Sequence, residues 1–167
     1  MASELTPRGT RGWEAPRLLR PLIGAMSRLQ VRLYHRMGDW MRVQRQPLLL
    51  LSTVGAKTGK LRQTVLCWFP DSEASDGDAS DSDNSWLVVA SGAGSAKHPA
   101  WFVNLARHPD QVSIEIGGRQ IKVQPQSLRG EERAAAWRKV VALAPGYAAY
   151  EKRTDREIPI IRLQAVA

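Results

Sequence analysis

The sequence predicts an α+β fold that is mainly β, built on about six antiparallel strands in a closed or partly closed barrel. Short segments rich in leucine, β-branched and aromatic residues are separated by turn-forming residues. Few helical patterns interrupt these strands, whereas a parallel nucleotide-binding sheet would alternate strands with helices. The pair Gly117 and Gly118 lies between two of the segments and is typical of a β-hairpin.

Length and composition set the class of protein. A chain of 167 residues with 43% hydrophobic and 24% charged residues is ordinary for one globular domain. The only cysteine is Cys67, so no intrachain disulfide forms and a reducing, cytoplasmic environment is expected. No apolar stretch approaches the ~20 residues of a membrane-spanning helix, and no secretory signal pattern opens the chain.

The positive charge is concentrated at the N-terminus. Residues 1–47 contain nine arginines against three acidic residues, which accounts for +6 of the net charge of +8. The body from 48 to 167 is nearly balanced, with 15 basic and 13 acidic residues. A nucleic-acid-binding body would carry the positive charge itself, so no nucleic-acid partner is expected.

The N-terminal region is predicted to contain a disordered tail over residues 1–15 and a basic amphipathic helical segment over 16–46. Apolar residues recur at helical spacing in this segment, and Arg28, Arg32 and Arg36 form a cationic stripe. Such a helix either packs on the domain with its arginines in solvent or attaches to an anionic membrane surface. The second interpretation would place the protein on the inner face of the plasma membrane.

The barrel domain is predicted to span residues 47–167. Helices are expected at about 98–108 and 130–144, the second with acidic residues in its first turn. Strands are expected at about 48–54, 61–69, 85–91, 111–116, 119–128 and 158–164.

Residues 71–84 are acidic and low in complexity. Asp76 and Asp78 fit the first and third positions of a calcium-binding loop, but Leu87 stands where such a loop needs glutamate. A disordered hairpin loop is therefore the better interpretation. The three histidines and the cysteine also lack metal-ligand spacing, so no metal site is expected.

Residues 55–62 form a cationic loop between two predicted strands. Gly55 and Gly59 let the backbone approach a ligand, and Lys57, Lys60 and Arg62 supply donors suited to phosphate or carboxylate. The loop is either an anion-binding site or a basic turn in solvent. It is not a nucleoside-triphosphate loop, because the glycines are one residue too close and a β-rich segment follows.

Two further stretches are candidates for binding or chemistry. Small residues at 91–96 precede a predicted helix on which Trp101 and Asn104 lie one turn apart, and this arrangement suits a planar ligand or a flexible connection. Tyr147 and Tyr150 lie on one face of a predicted helix, from which phenols either donate protons or line a hydrophobic edge. Cys67 lies inside an apolar strand and is interpreted as an inert thiol.

Taken together and in order, these stretches resemble the deazaflavin-dependent nitroreductase and quinone reductase family. The similarity covers roughly residues 45–165, so a chance match of one motif does not explain it. It is carried by Ser52, Thr53, Gly55, Lys57, Thr58, Gly59 and Arg62, by Val88–Ser91 and Gly94, by His98–Trp101, Asn104 and Leu105, and by Pro145–Tyr147, Tyr150, Thr154–Arg156, Ile158 and Pro159.

The resemblance implies a split β-barrel of the FMN-binding type and a reductase that uses reduced coenzyme F-420, a deazaflavin with a phosphate and a glutamylated tail. It implies a hydride transfer to a quinone, with nitroaromatic reduction as a side activity, in a monomer or homodimer. Ser91, Tyr147 and Tyr150 are the implied catalytic residues. The implied cofactor-binding residues are Gly55, Lys57, Thr58, Gly59, Lys60, Arg62, Thr64, Val89, Ala90, Ser91, Gly92, Lys97, Trp101 and Asn104.

Some positions depart from the family pattern. Gly92 stands where members often have lysine or asparagine, Cys67 and Ala144 stand where some have an aromatic residue, and the acidic insert is long. These departures bear on acceptor choice and ring contacts. Two alternatives remain open at this point, namely a split barrel that binds FMN and a basic membrane-surface adaptor without catalysis.

Overall fold

The computed structural model describes residues 5–14, 16–37, 40, 42–43, 45–71 and 84–166. Its helices and strands follow in the order α1 (Arg20–Met37), β1 (Arg42–Val43), β2 (Gln46–Val54), β3 (Leu61–Cys67), β4 (Phe69–Pro70), β5 (Ser85–Val89), α2 (Ala100–Arg107), β6 (Ser113–Ile116), β7 (Arg119–Ser127), α3 (Gly130–Leu143), α4 (Gly146–Arg153) and β8 (Ile160–Ala165). Short 3-10 turns lie at Arg17–Leu19 and Gly92–Gly94.

All strand pairs are antiparallel, in the order β1-β2-β6-β7-β8-β5-β4, and β3 pairs with β2 as well. Only Trp68 separates β3 from β4, so the chain passes there from pairing with β2 to pairing with β5. This step brings the two ends of the curled sheet together. The predicted mainly-β split barrel is confirmed, with the predicted strand 61–69 divided at Trp68, whose backbone N–H donates to Pro47 O at 3.1 Å.

Both faces of β5 are covered, which explains its continuous apolar sequence. Trp86 and Val88 belong to the core inside the barrel, while Leu87 and Val89 belong to a second core under α3 and α4. This division follows the two-residue period of a strand. Helix α2 contributes to the inner core through Trp101, Phe102 and Leu105.

The helices differ from the prediction in two respects. Helix α1 ends at Met37, and β1 and the first residue of β2 lie inside the helical segment predicted over 16–46. The expected helix at 130–144 ends at Leu143, and a separate helix α4 begins at Gly146 and carries both tyrosines. Pro145 separates the two helices because it lacks the N–H that a continuing helix would need.

Residues 5–14 lie in the region predicted to be a disordered tail, yet they have fixed partners. Thr10 and Arg11 donate backbone hydrogen bonds to the Asp155 carboxylate, and Gly9 N donates to Ala96 O at 3.0 Å. The pairing joins positions about 90 and 145 residues apart, so no local sequence pattern announces it.

Most of the predicted acidic loop, residues 72–83, lies outside the described residues. Its first residue, Asp71, is ordered and accepts hydrogen bonds from Arg162 and Ser85. Burial alone would raise the pKa of Asp71, but the hydrogen bonds from Arg162 and Ser85 outweigh it and lower that pKa. Arg162 on β8 also donates to Glu132 on α3, so one arginine ties the insert to the barrel and to a helix.

Helix α1 contacts the barrel through one side only. Tyr34 is buried against Leu48 and Leu50, and its hydroxyl donates to Glu115 O at 2.7 Å. Among the described helices, none is long and apolar enough to cross a membrane. The helix nevertheless exposes Leu22, Ile23, Met26, Leu29, Leu33 and Met37.

Candidate active site

The cationic loop between β2 and β3 is a closed turn whose charged side chains point outward. Gly55 N donates to Lys60 O at 2.8 Å, and the N–H groups of Thr58 and Gly59 both donate to Gly55 O. Gly59 has φ +63°, a left-handed conformation that favours glycine. Lys57, Thr58 and Lys60 are exposed.

Strand β3 adds a further cation beside this loop. Arg62 lies opposite Thr53 and Thr64 opposite Leu51, so these two predicted binding residues share one face of β3. Arg62 is exposed and Thr64 is half-buried. Within the described part of the chain, the arginine and the two lysines of the loop have no carboxylate in ion-pair contact.

Asn104 supports the cationic loop from below. Its Oδ1 accepts the Ala56 backbone N–H at 3.0 Å, and its Nδ2 donates to Thr53 Oγ1 at 3.4 Å. The side chain is buried, as is the neighbouring Trp101, which packs in the inner core. Asn104 therefore fixes the shape of the cationic loop. Because Asn104 lies on helix α2, this helix links the cationic loop to residues 90–97, the segment that precedes α2 in the chain.

That preceding segment, residues 90–97, has an unusual backbone held by one buried arginine. Gly92, Ala93 and Gly94 all have positive φ angles, of +53°, +55° and +80°. Arg156 donates to Ala90 O at 3.0 Å, and to Ser91 O and Ser95 O at 2.9 Å each. Carbonyl dipoles thus solvate the guanidinium in place of water, and the same bonds fix the loop.

Arg156 holds the backbone of this segment in place, and the sequence analysis did not identify it as a candidate site residue. It is only 5% exposed, and burial lowers its pKa below the usual value. The sequence signal was present, because Arg156 lies in the ending motif that carries the family resemblance. The motif alone does not show that its partners are the carbonyls of a loop some 60 residues earlier.

The two tyrosines of α4 lie in different environments. Tyr147 is buried edge-on against Phe69 and Tyr150, at ring-centroid distances of 5.6 and 5.4 Å. Burial raises the pKa of Tyr147, and a hydrogen bond with the Cys67 thiol raises it further. Tyr150 is half-buried, and the Arg153 guanidinium lies 5.8 Å from its ring centre.

The remaining predicted residues lie on or next to the segment 90–97. Val89 and Ala90 are buried, while Ser91 and Gly92 are half-buried. Lys97 is exposed and forms an ion pair with Glu14 at 2.8 Å. Cys67 is half-buried, and burial raises the pKa of its thiol, which fits its interpretation as an unreactive group.

The fold and this site define a split-barrel oxidoreductase. A solved F420-H2 dependent reductase is 33% identical to this chain, with a TM-score of 0.55, and the match covers 70% of this chain and 93% of that one. A solved protein described as a domain-swapped dimer is 30% identical, with a TM-score of 0.57, over 86% of this chain and 99% of that one.

The profile of the F420H(2)-dependent quinone reductase family matches residues 26–165, and the chain belongs to that family. A member from Mycobacterium tuberculosis strain H37Rv, described in the same words, is 38% identical over 120 residues, which cover 70% of this chain and 72% of that protein. The cofactor of the family is reduced coenzyme F-420. The resemblance to this family, the cofactor F-420 and the class of quinone reductase predicted from the sequence are thereby confirmed.

The residues present suit this cofactor. A phosphate and a glutamylated tail need several cations that are not already neutralised. Lys57, Lys60 and Arg62 are exposed and have no ion pair with any carboxylate that the structure describes. A flat ring needs a surface without bulky side chains, and residues 90–94 present mainly small ones. The closed turn and its support by Asn104 hold the cationic loop in one shape before the cofactor binds.

Proposed function

We propose that this reductase transfers a hydride from reduced F-420 to a quinone and holds the phosphate and tail of the cofactor on Lys57, Thr58, Gly59 and Arg62. The observation that carries the proposal is the hydrogen-bonded, exposed cationic loop in a chain of this family. Lys60 lies on the same turn and adds to the local positive potential. Thr64 follows Arg62 on the same face of β3 and extends the surface toward the barrel.

Residues 89–92 are proposed to lie along the deazaflavin. Arg156 fixes the carbonyls of Ala90 and Ser91, so the backbone facing the ring is set before the cofactor binds. When bound, the reduced cofactor supplies the hydride. The protein supplies orientation and hydrogen-bond donors.

The acceptor gains negative charge on one oxygen when hydride arrives, and donors near that oxygen stabilise it. Ser91 and Tyr150 are half-buried hydroxyl residues that suit this role. Tyr147 was predicted with them. Tyr147 is buried among Phe69, Tyr150 and Cys67, and this burial favours a role in packing against Tyr150 over a role as a proton donor.

Nitroaromatic compounds are proposed as secondary acceptors of the same site. They share with quinones a flat, electron-poor ring, and hydride transfer from the same cofactor does not require different protein groups. A ratio of turnover with a quinone to turnover with a nitroaromatic well above one would support this order of preference.

Helix α1 is proposed to attach the enzyme to an anionic membrane surface. Its exposed apolar residues form a face of six large side chains, and the exposed Arg28, Arg32 and Arg36 are suited to anionic headgroups. Many quinones are lipid-soluble, so attachment would bring the enzyme to such acceptors. A solved relative is described as a domain-swapped dimer, so a second copy is the competing occupant of this face.

Two measurements test these proposals. Oxidation of reduced F-420 by menadione, followed by the return of deazaflavin absorbance, tests the activity, and absence of turnover with any quinone would contradict it. Co-sedimentation with vesicles of phosphatidylglycerol and phosphatidylcholine tests attachment, with pure phosphatidylcholine as the control. A protein that sediments with neither and behaves as a stable dimer would assign the α1 face to a second copy.

A further inference from the structure

Residues 5–14, here called the strap, run across the outside of the segment 90–97. Gly9 N donates to Ala96 O at 3.0 Å, and Trp13 N donates to Gly94 O at 3.1 Å. At the far end of the strap, Thr6 O accepts a hydrogen bond from His98 Nε2 at 2.8 Å. The strap therefore contacts this segment through the backbone N–H groups of Gly9 and Trp13, and its Thr6 carbonyl contacts the His98 side chain just beyond the segment.

The other edge of the strap is held by the stretch that precedes β8. The Asp155 carboxylate accepts hydrogen bonds from Thr10 N at 2.8 Å, from Arg11 N at 2.9 Å, and from the Thr10 hydroxyl. In return, Arg11 O accepts from Thr154 Oγ1 at 3.0 Å. The hydrogen bond from Thr10 is the main reason that the pKa of Asp155 is lowered.

The fit of the strap leaves no room for side chains at its two inner glycines. A Cβ atom built on Gly12 would collide with the backbone nitrogen of Ala96 and lie 2.8 Å from Gly94 O. A Cβ atom on Gly9 would collide with the Asp155 carboxylate. Because the obstacles at Gly12 are backbone atoms, the strap itself would have to move.

The strap and Arg156 hold the same loop. Arg156 binds the carbonyls of Ala90, Ser91 and Ser95, and the strap binds those of Gly94 and Ala96. The stretch that these bonds hold includes three successive residues with positive φ, Gly92–Gly94, a conformation that a free loop would occupy only part of the time.

We propose that the strap is a positioning element of the cofactor site, with Gly12 and Asp155 as the residues that seat it. This inference rests on the proposed function, in which residues 89–92 lie along the deazaflavin. A seated strap keeps the loop in its binding conformation, so release of the strap raises the apparent dissociation constant for F-420 by the reciprocal of the fraction that stays competent.

The test compares two variants of the chain. Gly12→Ala adds a Cβ atom that collides with backbone atoms of Gly94 and Ala96, and Asp155→Ala removes the acceptor of the hydrogen bonds from Thr10 and Arg11. Gly24→Ala is the matched control, because a Cβ atom at Gly24 meets nothing within 4 Å. Trypsin cleavage after Arg8 and Arg11, read by mass spectrometry of the N-terminal fragments, reports whether the strap is seated without using the cofactor. Fluorescence titration with F-420, the menadione assay and a thermal melt complete the set.

Both strap variants should be cleaved at these arginines faster than wild type, and both should bind F-420 about fivefold or more weakly. Their KM for F-420 should rise with a near-normal kcat and melting temperature, which separates positioning from general destabilisation. Gly24→Ala should match wild type in cleavage and binding. Unchanged or tighter F-420 binding in variants with a released strap would overturn the proposal.

Equal cleavage of wild type and variants would also overturn it. Equally fast cleavage would mean that the strap is not bound in solution, and equally slow cleavage would mean that Gly12 and Asp155 do not hold it. Failure of the wild-type chain to bind F-420 would instead refute the proposed function, and the titration of wild type reads that result separately.

Discussion

Replacing Asn104 by alanine tests whether the cationic loop needs its support from helix α2. The change removes the acceptor of the Ala56 N–H and the donor to Thr53 Oγ1, at 3.0 and 3.4 Å. Neither lost group carries charge, and no cation of the loop is altered. Any loss of cofactor affinity would therefore come from the shape of the loop.

The size of the effect follows from the two hydrogen bonds. The bond to Ala56 has good geometry, and Ala56 is half-buried, so water would replace the lost acceptor only in part. The bond to Thr53 is long and contributes less. A loss of about 1–2 kcal/mol is expected, which corresponds to a roughly five- to thirtyfold weaker F-420 affinity if it falls on the binding conformation of the loop.

Calorimetric titration of Asn104→Ala with F-420 measures this loss, and the exposed Gln111→Ala serves as a control of similar chemistry. Turnover at saturating F-420 should stay close to wild type, because Asn104 hydrogen-bonds to the loop and is proposed to shape it without acting in the chemical step. An unchanged dissociation constant would refute the reasoning. A large fall in kcat with unchanged affinity would instead place Asn104 against the deazaflavin ring.

Lys57→Ala and Arg62→Ala should each weaken F-420 binding by roughly 1–3 kcal/mol, and the loss should shrink as salt rises, as titrations at two ionic strengths would show. Tyr150→Phe should lower the rate of oxidation of reduced F-420 by roughly tenfold or more in stopped flow, with little change in affinity, whereas Tyr147→Phe should have a smaller effect on this rate. Equal rates in both variants and wild type would mean that solvent supplies the proton. Asp71→Asn should reduce the free energy of unfolding by about 1–3 kcal/mol, because the arginine on β8 loses its main partner. Since the folded pKa of Asp71 is lowered, this difference from wild type should persist above about pH 4 and vanish as pH falls through the folded pKa.

The features that depend on a local sequence pattern could be predicted. Apolar runs between turns indicate the barrel strands, and glycines and cations between two such runs indicate the cationic loop. The division of β3 from β4 at Trp68 was not predictable, because both parts are apolar and differ only in their pairing partner. A hairpin partner can be inferred from proximity in sequence, but the long-range strand pairing that closes the barrel cannot.

The supporting residues of the site were harder to find for the same reason. Asn104 was identified, but its partners lie 48 and 51 residues earlier, so its role in shaping the cationic loop appears only in the structure. Arg156 and the strap residues reach across about 60 and 145 residues. The tight fit of Gly12 depends on backbone atoms of Ala96, and nothing in the local sequence around either residue indicates it.

Measuring the affinity of the protein for each of three cofactors tests the central claim most directly. The purified chain of 167 residues would be titrated by calorimetry with F-420, FMN and NADPH under identical conditions. The exposed cationic hairpin and the family predict micromolar or tighter binding of F-420, with little binding of FMN or NADPH. Tight binding of FMN with no detectable binding of F-420 would contradict the account.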